Sequence, residues 1–271
     1  MKAVTSLILP LALLASTSAF AYPTSWGSDV TINDQNLGNG SWYDGSNDQR
    51  PGGIREDEEV EPGMSTQRGW DAEGFFQNQN QLTIVGEFNY STGKSNFQAG
   101  DLFIDINGDA VFGDIHGSSN GYQNVTNTFG YDFVFDIDWT NLTYDVYAID
   151  GSSILGTTYY AQNQGSNPFQ FHLGDNAGAT AIASNSFSIS TFDSAQIDGY
   201  FLGGTHYAAN GFDLSFLGGN ANYTSHWTMG CGNDNLMGQG TTVPEPGTIG
   251  LLAAGLIGLG FARRRMSSNQ A

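Results

Sequence analysis

The sequence predicts an all-β protein: an antiparallel, jelly-roll-like β-sandwich ectodomain followed by one C-terminal transmembrane helix. Three observations lead to that class. Many short segments alternate apolar and polar residues with period two, the spacing that puts every second side chain on one face of a sheet. Asn-Gly, Asp-Gly and Gly-Gly pairs punctuate them, and the chain holds 37 glycines to serve such turns. Aromatic residues make up 13% of the chain and would fill the space between two sheets, while no stretch of the body carries a useful helical period.

Residues 22–69 are rich in Gly, Asn, Asp, Ser and Pro. They read as an irregular acidic segment joined to the sandwich, with one or two short strands and a solvated acidic run at Glu56, Asp57, Glu58, Glu59 and Glu61. The sandwich itself spans residues 70–240. Leu82–Tyr90 and Leu102–Ile106 are strands, the second ending at the turn pair Asn107-Gly108. Tyr131, Phe133, Phe135 and Ile137 share one face of a third strand, and Asp132, Asp136 and Asp138 take the other. Leu142, Tyr144 and Val146 continue the alternation. Further strands are expected at Ser153–Ala161, Phe169–Leu173, Phe187–Phe192, Ala195–Leu202, Gly211–Leu217 and Thr224–Met229.

The two ends carry different signals. Residues 1–21 combine Lys2, an apolar run from Ala3 to Ala15 and the small-x-small triplet Ala19-Phe20-Ala21. This is the pattern of a secretory signal peptide, exported by the secretion machinery and cut by signal peptidase to leave Tyr22 first. At the other end, Pro244-Glu245-Pro246-Gly247 precedes the uncharged run Ile249–Ala262, then Arg263, Arg264 and Arg265, then a polar tail at residues 266–271. The prolines lack a backbone donor and disfavour helix in the residue before each, so the motif is extended and open to a protease. The apolar stretch from Gly247 to Ala262 is sixteen residues. At ~1.5 Å per residue it reaches roughly 24 Å, short of the ~30 Å hydrocarbon core. The arginines act as the membrane stop and keep the tail cytoplasmic, with the body outside the inner membrane.

Between Tyr22 and Val243 only Arg50, Arg55, Arg68 and Lys94 oppose 26 acidic residues, a net charge of -22. Such a body lacks the basic patch that phosphate contacts need, which excludes nucleic-acid binding. It would attract divalent cations or basic partners, or simply stay soluble. Cys231 is the only cysteine, so no intramolecular disulfide forms; it reads as a buried small hydrophobe, with a reactive thiol as the alternative.

Pro244-Glu245-Pro246, the glycine-rich apolar segment and the terminal arginines, together residues 243–265, resemble a PEP-CTERM sorting signal. That resemblance implies recognition by exosortase, a transpeptidase-like membrane enzyme, and cleavage near the Pro-Glu-Pro motif. It also implies a Gram-negative, exopolysaccharide-making cell and display on its surface or in its extracellular matrix. The stretch from His226 through Thr228, Met229, Cys231 and Gly232 to Asp234 is similar to the closing strand of exosortase-dependent surface domains. Trp70–Phe76 with the later Gly100–Asp105 resembles sandwich modules that bind sugars or haem.

For chemistry in the body, Asp105, Asn107 and Asp109, with Asp114 beyond, gather hard oxygen donors in the manner of a calcium loop. Ala110 stands where an EF-hand needs glycine, and the alternative is a plain Asn-Gly turn. Asp132, Asp136 and Asp138 share a strand face and are the best carboxylate pair for a polysaccharide-degrading enzyme, though alternate positions meet that spacing trivially. The four histidines, His116, His172, His206 and His226, form no zinc motif. A Cys231–His226 nucleophilic pair would lack an orienting third group. The sequence therefore reads as a non-enzymatic, exosortase-sorted surface protein. A carbohydrate-binding module is the alternative and a polysaccharide-degrading enzyme the second.

Overall fold

The computed structural model describes residues 26–32, 68–110, 121–160, 165–193, 205–232 and 234–244. They form three antiparallel sheets. The first orders its strands β1 (Ser28–Asp29), β2 (Ala72–Asn78), β3 (Gln81–Gly86), β12 (Thr205–Asp213) and β11 (Ser188–Asp193). The second runs β10 (Ala183–Ser186), β7 (Thr143–Ala148), β6 (Phe133–Asp138), β4 (Leu102–Asp105), β13 (Asn222–Thr228) and β14 (Asn235–Thr241). The third holds β5 (Gly121–Thr126), β8 (Ile154–Tyr160) and β9 (Gly165–Phe171).

Period-two alternation explains the first interface. Phe75, Leu82, Ile84 and Phe212 of the first sheet meet Leu102, Phe135, Val146 and Trp227 of the second in one buried cluster. This is the expected sandwich of facing antiparallel sheets. The second sheet, however, is buried on both faces. Phe103, Val134 and Tyr147 point the other way and pack with Leu155 and Phe171 of the third sheet. The arrangement is therefore three-layered where two layers were expected. The reason lies in the strands themselves: Leu102-Phe103-Ile104 and Phe133-Val134-Phe135 are unbroken apolar runs, the mark of a strand covered on both sides.

The first sheet carries a small second cluster on its outer face, where Trp26 packs with Phe76, Val85, Phe192 and Ala208. The chain then passes from one sheet to the next. Val30 donates to Phe75 O, and Gln239 and Ile32 complete the ladder to β14 through Val30 O and Met237 O, each at 2.8–2.9 Å. This stretch covers the neighbouring edges of β2 and β14 that would otherwise be open templates for pairing. Within the N-terminal segment, read as irregular with one or two short strands, residues 26–32 form an ordered clasp around the short strand β1.

Several strand boundaries differ from expectation. Tyr131 leaves the face of Phe133 and Phe135 and joins the cluster under the third sheet. Gly130 just before it takes a φ of +83°, a left-handed turn that resets the alternation. The strand expected at Gly211–Leu217 begins earlier, at Thr205, bulges at Gly211 and gives way to a 3₁₀ turn at Ser215–Leu217. Strands β2, β5, β10 and β14 were not anticipated; β14 is rich in polar and small residues, and burial by its neighbours rather than propensity makes it a strand. The stretch Ala195–Leu202 lies outside the described residues.

Candidate functional site

The folded body is held up to the edge of the C-terminal motif. After β14, Thr242 is buried and donates its backbone N–H to Ala221 O. Asn80, at the tip of the β2–β3 hairpin, clasps the next residue: it accepts from Val243 N at 2.8 Å and donates to Val243 O at 3.0 Å. Pro244, the first residue of Pro-Glu-Pro, follows immediately and lies against Gly219, where an added Cβ would come within 2.7 Å of Pro244 Cα. Glu245, Pro246, Arg263, Arg264 and Arg265 lie outside the described residues, as do Ala19 and Ala21 of the leader. Among the described residues no helix is long and apolar enough to cross a membrane; the run Ile249–Ala262 lies outside them.

A cleft of about 510 Å³ opens where β6 and β7 meet the loop after β3. Asp136 of β6 and Asp145 of β7 are direct cross-strand partners at its wall. Burial, reinforced by the Asp145 charge, holds the Asp136 carboxyl above its ordinary range. Asp101 forms the floor: its two oxygens accept from Ile137 N at 2.9 Å and Phe171 N at 2.7 Å. Burial, with Asp136 beside it, pushes that carboxyl well up despite the two amide donors. Asp138 behaves oppositely, held low by the side-chain and backbone N–H groups of Asn141 at 2.7 and 2.9 Å. Trp139 and Tyr90 stack beneath the cleft at 5.0 Å, and the Trp139 indole donates to Gly100 O. Both rings are at least nine-tenths buried, so they build the wall more than they offer a stacking platform.

The expected carboxylate pair is divided. Asp136 and Asp138 line this cleft, whereas Asp132 turns to the tip of β4, accepting from Ile106 N at 2.8 Å and Asn107 Nδ2 at 3.2 Å. Burial and the charges of Asp105 and Asp109 raise its carboxyl, against the pull of Ile106 N. Of the calcium-loop residues, Asp105 is fully buried and its carboxylate is committed to the turn, accepting from the backbone N–H groups of Asn107, Gly108 and Ala110. Asn107 Oδ1 accepts from Asp109 N. Asp114 lies outside the described residues.

His206 and His226 are both fully buried, in different surroundings, while His172 lies against Tyr122 and His116 is outside the described residues. His206 pairs with Glu73 at 2.8 Å, stacks on Phe192, and its ligand atoms lie within 4.8 Å of those of Glu73 and Glu87. Two carboxylates and one imidazole are a set that a borderline divalent ion accepts. The pairing of Glu73 with a histidine far along the chain, from a bulge between Ala72 and Gly74, had no signal in sequence spacing.

His226 is fully buried, stacks on Tyr131 at 5.7 Å and donates Nε2–H to Pro168 O at 3.1 Å. Trp227 and Met229 pack toward the opposite side, in the first core, and Cys231, expected to be buried, packs against that core only partly buried. Burial lowers the His226 pKa to about 4 from an ordinary 6.5. Between those two pH values the unfolded chain binds the extra proton, so this group's share of stability is complete above 6.5 and lost as pH falls toward 4. The loss is about 3 kcal/mol at ~1.4 kcal/mol per pKa unit. Asp101 and Asp136, whose carboxyls are raised, act with the opposite sign in acid, so the clean measurement is a difference. The stability gap between the native chain and His226→Gln should narrow by about 3 kcal/mol from pH 7 to pH 4. A gap that stays constant across that range contradicts the assignment.

The fold and its C-terminal residues define a class: an all-β domain that carries a sorting signal. Residues 242–265 match the family described as the PEP-CTERM protein-sorting motif, and the chain is a PEP-CTERM domain-containing protein. That motif implies export, processing by exosortase at the membrane and display at the surface. Comparison with curated proteins and with solved structures returned no match.

Proposed function

We propose that this is a non-enzymatic surface or extracellular-matrix protein of a Gram-negative, exopolysaccharide-making cell, held transiently in the inner membrane and released by exosortase. The observation that supports it is the junction at Val243. The body is clasped by Asn80 up to that residue, and Pro-Glu-Pro begins at the next, so cleavage beside it would free the whole fold and leave the membrane tail behind. Mass spectrometry of the protein from native cells should find a chain starting at Tyr22 and ending near Pro246. Surface-located protein that still carries Arg263–Ala271 would instead mean a permanent anchor.

The cleft favours a second reading, a carbohydrate-binding module for the cell's own matrix. Its wall of carboxylates and amides can accept and donate to sugar hydroxyls, and its charge suits neutral or amino sugars over uronic acids. On a glycan array the full chain should bind such polymers, and Asp136→Ala should abolish the signal. Release of reducing ends that stops when Asp136 and Asp145 are neutralised would point to a degrading enzyme instead.

A further inference from the structure

Three neighbouring strands of the first sheet bring Glu73, Glu87 and His206 together, with one ligand atom of each within 4.8 Å of the others. Strand pairing explains the meeting. Tyr207 of β12 faces Gly86 of β3, so the next step of the same antiparallel register sets His206 opposite Glu87. Beyond Gly86 the pairing of β3 with β2 continues, as Glu87 N donates to Asp71 O at 3.0 Å. A one-residue bulge between Ala72 and Gly74 lets Ala72 and Phe75 both face the first core. The same bulge re-aims Glu73 to the outer face of the sheet, where it meets His206 at 2.8 Å.

The imidazole separates this set from an ordinary acidic cluster. Its side chain is 0% exposed and that of Glu73 is 1% exposed. His206 stacks on its cross-strand partner Phe192 at 5.2 Å with the rings 14° from parallel. Trp26, Phe76, Val85 and Ala208 complete an apolar cluster with Phe192 on that face. Such surroundings hold a metal-binding imidazole in one orientation and limit the access of water. Glu87 is only half-buried, which gives an ion its path into an otherwise covered site. A proton on His206 would balance one of the two carboxylates, whereas a divalent ion balances both and leaves the imidazole neutral.

We propose that Glu73, Glu87 and His206 bind one divalent ion of the zinc class, with water in the fourth position. Imidazole nitrogen with carboxylate oxygen is a zinc donor set, while calcium takes oxygen alone. Ligands of one zinc ion at ~2.0–2.2 Å stand roughly 3.3–3.6 Å apart at the tetrahedral angle. Glu73 and His206 already touch, so closing in falls to Glu87. The sequence carries no zinc spacing because Glu73 and His206 lie 133 positions apart and only strand pairing joins them. The ion would pin β2, the end of β3 and β12 to one another at one end of the first sheet, on the face away from the second sheet.

Isothermal titration of the tag-free, chelator-stripped full chain in detergent with zinc chloride should show one saturable site. Zinc should raise Tm, and excess calcium should not displace it. Glu87→Gln, at the half-buried position, and His206→Gln should each bind zinc at least about tenfold more weakly, since even outer partners of a metal ligand contribute about 10–100-fold. Should one variant fail to fold by circular dichroism, the other carries the test. His172→Gln, at the half-buried histidine beside Tyr122, should leave zinc binding unchanged. Absence of saturable zinc binding by the folded parent overturns the proposal. So does undiminished binding in a folded Glu87 or His206 variant, or binding that is lost with His172→Gln.

Discussion

Replacing Trp227 with alanine is expected to destabilise the chain by about 3–5 kcal/mol, the usual range for a large aromatic deleted from a packed core. Trp227 is fully buried on β13, in edge-on contact with Tyr90 at 5.4 Å and Phe88 at 6.1 Å. Its indole N–H donates to Gly100 O at 3.1 Å, an oxygen that also receives the Trp139 indole at 3.0 Å. Gly100 has no room for a side chain, since a Cβ would fall 2.4 Å from Thr228 O and 2.6 Å from Phe169 O. The void therefore opens beside a rigid point and collapses poorly, which places the loss in the upper part of the range. Against a typical total of about 5–15 kcal/mol this is a large fraction. Urea denaturation of the full chain measures it; a loss below about 1 kcal/mol would mean that the site relaxes and the Gly100 hub is not rigid.

Asp101→Ala is expected to cost a comparable amount through a different mechanism. The carboxyl group joins two layers: Ile137 N belongs to β6 in the middle sheet and Phe171 N to β9 in the third. Removing it strands two buried amides at about 1–3 kcal/mol each. Asp101→Asn should cost less than alanine, because one acceptor oxygen survives while the new NH₂ confronts a donor. The pH dependence has a definite sign. With its folded-state pKa raised by burial and by Asp136, Asp101 contributes most below the ordinary carboxylate range and less as pH rises through the raised value. The gap between the native chain and Asp101→Ala should accordingly be wider near pH 3 than at pH 8. Equal stability of the alanine and asparagine variants, or a gap that widens with pH, would contradict this role.

Both predictions meet at Gly100-Asp101, which the sequence marked only within the Gly100–Asp105 stretch that resembles sugar- or haem-binding sandwich modules. The alternation of Leu102, Ile104, Phe135 and Val146 made the strands and their inward faces legible. The matching apolar residues Phe103, Val134 and Tyr147 were also in view, but an outward-facing aromatic in one strand does not show what will cover it. The third sheet takes one edge from β5, whose Gly, Gln and Asn content hides it from propensity, and β9 begins at Gly165, ahead of the strand expected at Phe169–Leu173. The cleft was half legible: Asp136 and Asp138 stood out by spacing, whereas Asp101 and Asp145 reach it by strand pairing.

The sequence by itself determined the all-β class, the strongly acidic body and the C-terminal sorting motif, because period-two alternation, charge and a linear motif are local properties of the chain. Only the tertiary structure decided that three sheets are stacked, that Asp132 parts from Asp136, and that Asp101 and Asp145 join Asp136 in one cleft. Those outcomes depend on which strands become neighbours. Contacts between residues 26 to 162 positions apart are selected by the burial of whole faces, which no window along the chain contains.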